Sequence, residues 1–334
     1  IELPIFEDVQ FNRPVVVPKN VSLKIRLAAL VQGANQIEVV LRSEQTAFQV
    51  DHFRAICWFG NQSSTRTLGI SEQSKHLADI QDDNFCVSLD PKQYLYGKVL
   101  FHNGRFQRLH GYRKLRATEC LAEIEPASSE VNWFSRYLPR YLVLGDPANR
   151  DAAIHALQAC IPHATILPIG VERFIPGFVP NTSACFVYGR ERSQNGERFI
   201  YDMEVINVDG TLLERWEGLH LQIVKHKDTL SPWEVSLLVP YLERRIKEFI
   251  PTADVTIVID KDETVESQVR RARAIQKIFR STVLVSQRLD GKPEVTENIK
   301  ISVAHADDLT LVIAGSAPIG CDVEPVVARS ANVW

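Results

Sequence analysis

Asp151, His155 and Gln158 stand four and then three residues apart in GDPANRDAAIHALQAC (145–160), a stretch otherwise dominated by alanine and aliphatic residues. At 3.6 residues per turn these three polar groups share one helix face, with neighbouring Cβ atoms about 5–6 Å apart. A carboxylate and an imidazole one turn apart can hold and pass a proton. Asp146 offers a side-chain acceptor at a helix cap and Pro147 suits the first helical position, so the spacing predicts a helix over 147–161 with Ile154, Leu157 and Ile161 facing elsewhere. Burying an unpaired carboxylate costs on the order of several kcal/mol. The stripe therefore lines a cleft, meets buried partners, or is simply a solvated helix face.

A second constellation lies in GCDVEPV (320–326). Strand period would put Asp322 and Glu324 on one side, with Cys321 and Val323 on the other. Two carboxylates so placed are ready ligands for a hard cation such as Mg²⁺ that also holds phosphate oxygens. An exposed strand edge is the simpler account of an isolated D-x-E.

The surrounding elements follow from periodicity. Alternation in VSLKIRLAALV, NQIEVVLRS and AFQVDHFRAICWF, with Gly33, Ala34 and Asn35 as a turn, predicts an antiparallel meander over 15–59. Residues 60–92 are polar and irregular. Beyond them come the alanine-rich helix and long strands in ACFVYGRE, RFIYDMEVINVDG and TLLERWEGLHLQIV, with a hairpin turn at Asp209 and Gly210. One such helix among long antiparallel strands is what a sheet wrapped around a helix needs, because small side chains allow close approach. Two such units in tandem would make a double hotdog. After Val224 the character changes. Ser231, Pro232 and Glu234 read as a capping box opening a helix that Pro240 kinks or divides, and a second helix with four strand segments follows in a separate α/β unit.

With 334 residues, 45% of them apolar and 24% charged, the chain reads as a globular protein of about two domains. A net charge of −3 gives no electrostatic case for nucleic acid or an anionic membrane, and no 18-residue apolar run is present for a span. Six scattered cysteines without a CxxC pair indicate neither a zinc site nor a disulfide framework, which fits a cytoplasmic setting. The single methionine, Met203, and a start at Ile1 within strand-like sequence mark the chain as a piece of a longer polypeptide.

The segments LYGKVLFHNGRFQRLHGYRKLRATECLAEI, WFSRYLP, GDPANRDAAIHALQ and YDMEVINVDGTLLERWEGL, taken together, resemble the dehydratase domain of type I polyketide synthases, and more closely that of enediyne-type iterative synthases. The similarity covers roughly residues 1–225. It implies an α+β fold with a first hotdog and linker over 1–92, a second hotdog over 93–226, and a linker over 227–235. It also implies removal of water from a β-hydroxyacyl thioester held on the phosphopantetheine arm of an acyl carrier protein, with no cofactor of its own. Asp151 would protonate or orient the leaving hydroxyl, and His155 would hold Asp151 or that hydroxyl. Tyr96, Gly97, Phe106 and Gln107 would shape the substrate slot, with core packing an equal account of Phe106. The family's catalytic histidine motif, H-x-x-x-G-x-x-x-x-P, matches none of the nine histidines and is expected upstream of Ile1. His52 falls where the family commonly has a structural histidine.

G-K-P, a strand ending in Ala304 and His305, a second strand and I-G-C-D-V-E together resemble 4′-phosphopantetheinyl transferases, giving an incomplete transferase-like α/β domain over 236–334. By that similarity Asp322 and Glu324 would bind Mg²⁺, while Lys292 and His305 would contact the phosphates of coenzyme A with Arg288 as a further cation. The family's W-x-x-K-E segment is expected beyond Trp334, so little transferase activity is expected of these residues alone. Both resemblances point to the same biology, with the carrier protein and other synthase domains as partners and a homodimer compatible. The rival readings are a hotdog acyl-thioesterase and a non-catalytic structural module of a megasynthase.

Overall fold

Residues 51–58 bury His52, Ala55 and Cys57, the change of parity after His52 falling beside a register shift in the pairing of Leu41 with Phe53 and Arg42 with Asp51. In the computed structural model, which describes residues 3–60, 75–81, 86–126, 133, 142–177, 183–227, 233–279, 285–287, 293–295 and 299–324, this strand joins a ten-stranded sheet. The chain divides into two compact units, Ile1–Ser231 and Pro232–Trp334.

The first unit holds strands β1 (Ile5–Phe11), β2 (Ile25–Gly33), β3 (Gln36–Ser43), β4 (Asp51–Trp58), β5 (Leu109–Leu115) and β6 (Glu119–Ile124). β7 (Ala164–Ile175), β8 (Cys185–Asn195), β9 (Arg198–Asn207) and β10 (Leu212–His226) complete the set. Their order is β2-β3-β4-β1-β7-β10-β9-β8-β6-β5, with every pairing antiparallel. The two halves of the sheet meet where β1 pairs with β7, placing Phe6 opposite Phe174 and Val9 opposite Val171.

Two short helices, α1 (Leu77–Gln81) and α2 (Pro91–Tyr94), precede the alanine helix α3 (Pro147–Ala156), which tightens into a 3₁₀ turn over Leu157–Cys160. Ala148, Ala152, Ala153 and Ala156 are fully buried where α3 packs against β5, β6 and β8. These methyl-sized side chains let the sheet close on the helix. Gly189 on β8 serves the same approach, since a Cβ there would lie 2.3 Å from the Leu157 Cδ2 atom. Asp146 caps the helix by accepting the Ala148 N–H at 2.9 Å. Arg108, itself buried, donates to Asp146 at 2.8 Å and to Asn149 at 3.3 Å, fixing the helix start to the chain entering β5.

The opposite half of the sheet is built differently. All nine residues of β2 are exposed, with Leu27 at 77% and Val31 at 70%. Among the described residues of 3–60 the only helical piece is a 3₁₀ turn over Glu44–Thr46.

The second unit contains helices α4 (Val235–Phe249) and α5 (Ser267–Phe279) and strands β11 (Val255–Lys261), β12 (Val285–Gln287), β13 (Pro293–Val295), β14 (Lys300–Ala306) and β15 (Leu309–Gly315). β11, β15 and β14 form one antiparallel sheet and β12 pairs with β13. Two expectations change here. α4 begins at Val235 with Glu234 as an extended cap residue making no side-chain cap bond, and it runs through Pro240 as one helix. The capping box therefore does not form around Glu234; Ser231 and Pro232 lie outside the described residues. Residues 316–324 are not a strand, because none of them joins a ladder. The inward and outward alternation survives: Cys321 and Val323 pack against Ile257, Leu311 and Ile313, while Asp322 and Glu324 are exposed. Among the described residues no helix is long and apolar enough to cross a membrane.

Candidate active site

α3 carries Asp151 and His155 one turn apart, and the loop between α2 and β5 brings His102 onto both. The His155 Nε2 atom lies 3.2 Å from Asp151 Oδ2, and His102 Nε2 lies 3.5 Å from the same oxygen. The two imidazole rings overlap, with centroids 3.9 Å apart. His155 is almost wholly buried and His102 largely so, whereas the Asp151 side chain keeps 30% of its exposure. The carboxylate is thus the open member of the cluster and the imidazoles are its walls.

Behind His155 stands Tyr96, whose hydroxyl lies 3.2 Å from His155 Nδ1. That hydroxyl accepts the Leu109 N–H at 3.3 Å and is 3.4 Å from the Phe106 carbonyl. When Tyr96 donates to Nδ1, the ring proton sits on Nε2, near Asp151 but not aligned with it for a hydrogen bond. Burial pushes the Tyr96 hydroxyl up to about 12, so it keeps its proton across the physiological range. Burial first, and the neighbouring His155 second, hold His102 below the ordinary histidine value against the opposing pull of Asp151.

The remaining residues singled out from the sequence take several places. Gly97 adopts φ +75°, and its N–H bonds the Leu100 carbonyl at 2.6 Å, turning the chain between Tyr96 and His102. Gln107 donates to the His102 carbonyl at 3.0 Å and so steadies the loop that carries the imidazole. Phe106 contributes its carbonyl to Tyr96 and packs its ring edge-on to Trp133 at 5.3 Å. Gln158 leaves the predicted stripe: it is buried in the 3₁₀ turn, donating to the Ile161 and Ala164 carbonyls and accepting from the Ile166 N–H. His52 is structural, bonded to Ser43 Oγ at 2.8 Å and to the Arg13 and Pro14 carbonyls.

Sequence reasoning passed over His102. It lies in a loop, outside any helical or strand period, and its signal was only its place in FHNGRFQ, five residues ahead of Gln107.

In the second unit His305 Nδ1 lies 2.9 Å from Thr310 Oγ1. Burial and the charges of Arg271 and Arg270 lower its pKa. Asp322 Oδ1 accepts its neighbour's N–H, from Val323, at 2.9 Å. Arg288 and Lys292 lie outside the described residues.

Residues 76–230 match the family model described as polyketide synthase dehydratase N-terminal domain. Solved structures agree on the fold. The dehydratase domain from the CurK module of curacin polyketide synthase is similar at 17% identity and TM-score 0.52, over 67% of this chain and 76% of that one. The dehydratase domain of a mycocerosic acid synthase-like polyketide synthase is similar at 18% identity and TM-score 0.53, over 65% and 74%. An inactive CurK dehydratase mutant with an aspartate replaced by asparagine is similar at 16% identity and TM-score 0.51, over 67% and 77%. No curated protein sequence gives a significant match.

Proposed function

We propose that the first unit is the dehydratase of a cytoplasmic, enediyne-type iterative polyketide synthase. It removes water from a β-hydroxyacyl thioester on an acyl carrier protein and leaves an α,β-unsaturated chain. The observation that carries this reading is the Asp151 carboxylate, partly open and flanked by His102 and His155, on a helix inside a sheet of polyketide dehydratase fold. That replacing an aspartate by asparagine yields an inactive CurK dehydratase supports giving the central role to Asp151.

In the reaction the Cα–H bond breaks, its electron pair forms the C=C bond, and the Cβ–O bond breaks with oxygen leaving as water. Asp151 supplies the proton that the departing hydroxyl needs. His155, set in place through Nδ1 by Tyr96, orients the carboxyl, and Tyr96 and Gly97 shape the slot beside it. The base for the α-proton is the histidine of the H-x-x-x-G-x-x-x-x-P motif, which the nine histidines here do not supply. On this reading these 334 residues carry the acid half of the site.

The test is mass spectrometry of a β-hydroxyacyl thioester incubated with the polypeptide that includes the residues preceding Ile1, beside its Asp151→Asn variant. Loss of water that falls at least about a hundredfold in the variant is expected, in the range a general acid contributes. Equal dehydration by both removes Asp151 from the mechanism. Release of free acid replaces the reading with a thioesterase, and an unchanged substrate with a structural module.

For the second unit the reading is part of a fused 4′-phosphopantetheinyl transferase, which moves the arm of coenzyme A onto the carrier protein. Asp322 and Glu324, turned outward by the inward anchoring of Cys321 and Val323, suit a hard cation that keeps several waters. Mg²⁺ bound there would neutralise phosphate oxygens of coenzyme A, with His305, Lys292 and Arg288 as its phosphate contacts. These 334 residues alone are expected to leave a carrier protein unlabelled by coenzyme A, and labelling read by intact mass would overturn that.

A further inference from the structure

His102, Asp151 and His155 each offer a ligand atom, and these atoms all lie within 4.8 Å of one another. Two ligands of a tetrahedral zinc ion, each about 2.0–2.1 Å from the metal, stand roughly 3.4 Å apart. The separations here from the Asp151 oxygen are 3.2 Å to His155 Nε2 and 3.5 Å to His102 Nε2. The His155 Nε2 atom is buried and has no hydrogen-bond partner among the described residues, although it lies 3.2 Å from the carboxylate oxygen, out of line for a hydrogen bond. Such an orphaned nitrogen on a side chain 3% exposed is a cost unless something completes it.

We propose that His102, Asp151 and His155 form a three-ligand site for a borderline divalent cation of the zinc class, leaving a fourth position open toward solvent on the Asp151 side. Two imidazole nitrogens and one carboxylate oxygen are the donor set that zinc prefers over magnesium or calcium. Tyr96 supports it. With the ring proton moved to Nδ1, His155 donates to the Tyr96 oxygen, Tyr96 donates to the Phe106 carbonyl 3.4 Å away, and Nε2 presents its lone pair to the metal. Outer hydrogen bonds of this kind orient ligating histidines. The two states of the cluster are mutually exclusive, because a metal-bound Asp151 has no proton to give. Zinc is thus a reversible inhibitor of the half-site, a consequence that rests on the dehydratase reading, whereas the binding itself does not.

The experiment is calorimetric titration of the 334-residue chain with ZnCl₂ in chelator-free buffer, together with the visible absorption of its Co²⁺ form. One site is expected, with the intense d–d bands of four-coordinate cobalt. His102→Gln and Asp151→Asn should each weaken binding at least about tenfold, the lower end of what losing a mere supporting residue costs. His226→Gln, at an exposed surface pair with Glu197, should leave it unchanged. Zinc binding unaffected by Asp151→Asn overturns the proposal, as does cobalt absorption of the six-coordinate, aqueous kind. Should His102→Gln unfold the chain, Asp151→Asn decides alone, since its isosteric change lies at a partly exposed position. No substrate enters, so failure here is distinct from failure of the dehydratase reading.

Discussion

The two halves of the ten-stranded sheet have the same kind of strands and opposite fates. β5, β6 and β8 pack on α3, and this half holds some of the most buried side chains in the chain, Leu121, Met203 and Leu219 included. β2 and β3 have no comparable element against them among the described residues, and β2 leaves Leu27, Leu30 and Val31 in the open. The chemistry follows the same division. In the helix-bearing half burial lowers the pKa of His102 and encloses His155 beside Asp151, whereas His52 in the other half is spent on Ser43 and two backbone carbonyls. A sheet needs a helix to make a site here, because the helix supplies both the reactive stripe and the walls that desolvate it.

Breaking the helix-bearing half should be the most costly change. Arg108→Met leaves the buried Asp146 carboxylate without its cation, and removing one partner of such a pair costs about 3–5 kcal/mol. Chemical denaturation should show that loss; a change under 1 kcal/mol would mean that the Asp146 cap alone holds α3. Next, Gly189→Ala drives a Cβ into Leu157, which is fully buried and has nowhere to retreat, for about 1–3 kcal/mol of overpacking. A neutral result there would show that β8 can step back from the helix.

A smaller effect depends on pH. His102 and His76 both have folded pKa values lowered by burial, so the unfolded chain binds more protons just below the ordinary histidine value of 6.5. Their stabilising contribution is complete above that value and is lost as pH falls through it toward the folded pKa. Thermal melts should therefore fall in temperature from pH 7 to pH 5, with a shallower slope in His102→Gln. An identical slope would remove His102 from the effect. Smallest of all, Leu30→Lys on exposed β2 should change stability by no more than about 0.5 kcal/mol. A large loss would mean that the open half is covered in solution, and the contrast between halves would shrink.

Much of the helix-bearing half was legible beforehand. Pro147 after Asp146 announced the helix start, the alanines announced close packing, and the i, i+4 spacing placed Asp151 beside His155. Gln158 misled because it continues the same period, yet the helix tightens at Leu157 and turns that amide toward β7. His102 escaped because loop residues meet a helix through tertiary folding, which no local period encodes. Asp322 and Glu324 misled in another way: alternation of burial persists in an extended segment that pairs with nothing, so the pattern mimics a strand. The exposure of β2 was equally hidden, since the apolar IRLAALV would read the same beneath a helix.

The seam between the halves sets an order of events during folding. Phe6 pairs with Phe174 and Gln10 with Gly170, so β1 must wait until α3 and β7 have been made before it finds its partner. The hairpins β2–β3 and β8–β9 close locally and early, while the seam closes a long loop and is entropically late. Until it does, β1 is held by β4 alone, and its other edge presents free backbone donors and acceptors to any strand nearby. The growing chain therefore carries an unsealed edge for as long as the ribosome takes to travel from one side of the seam to the other.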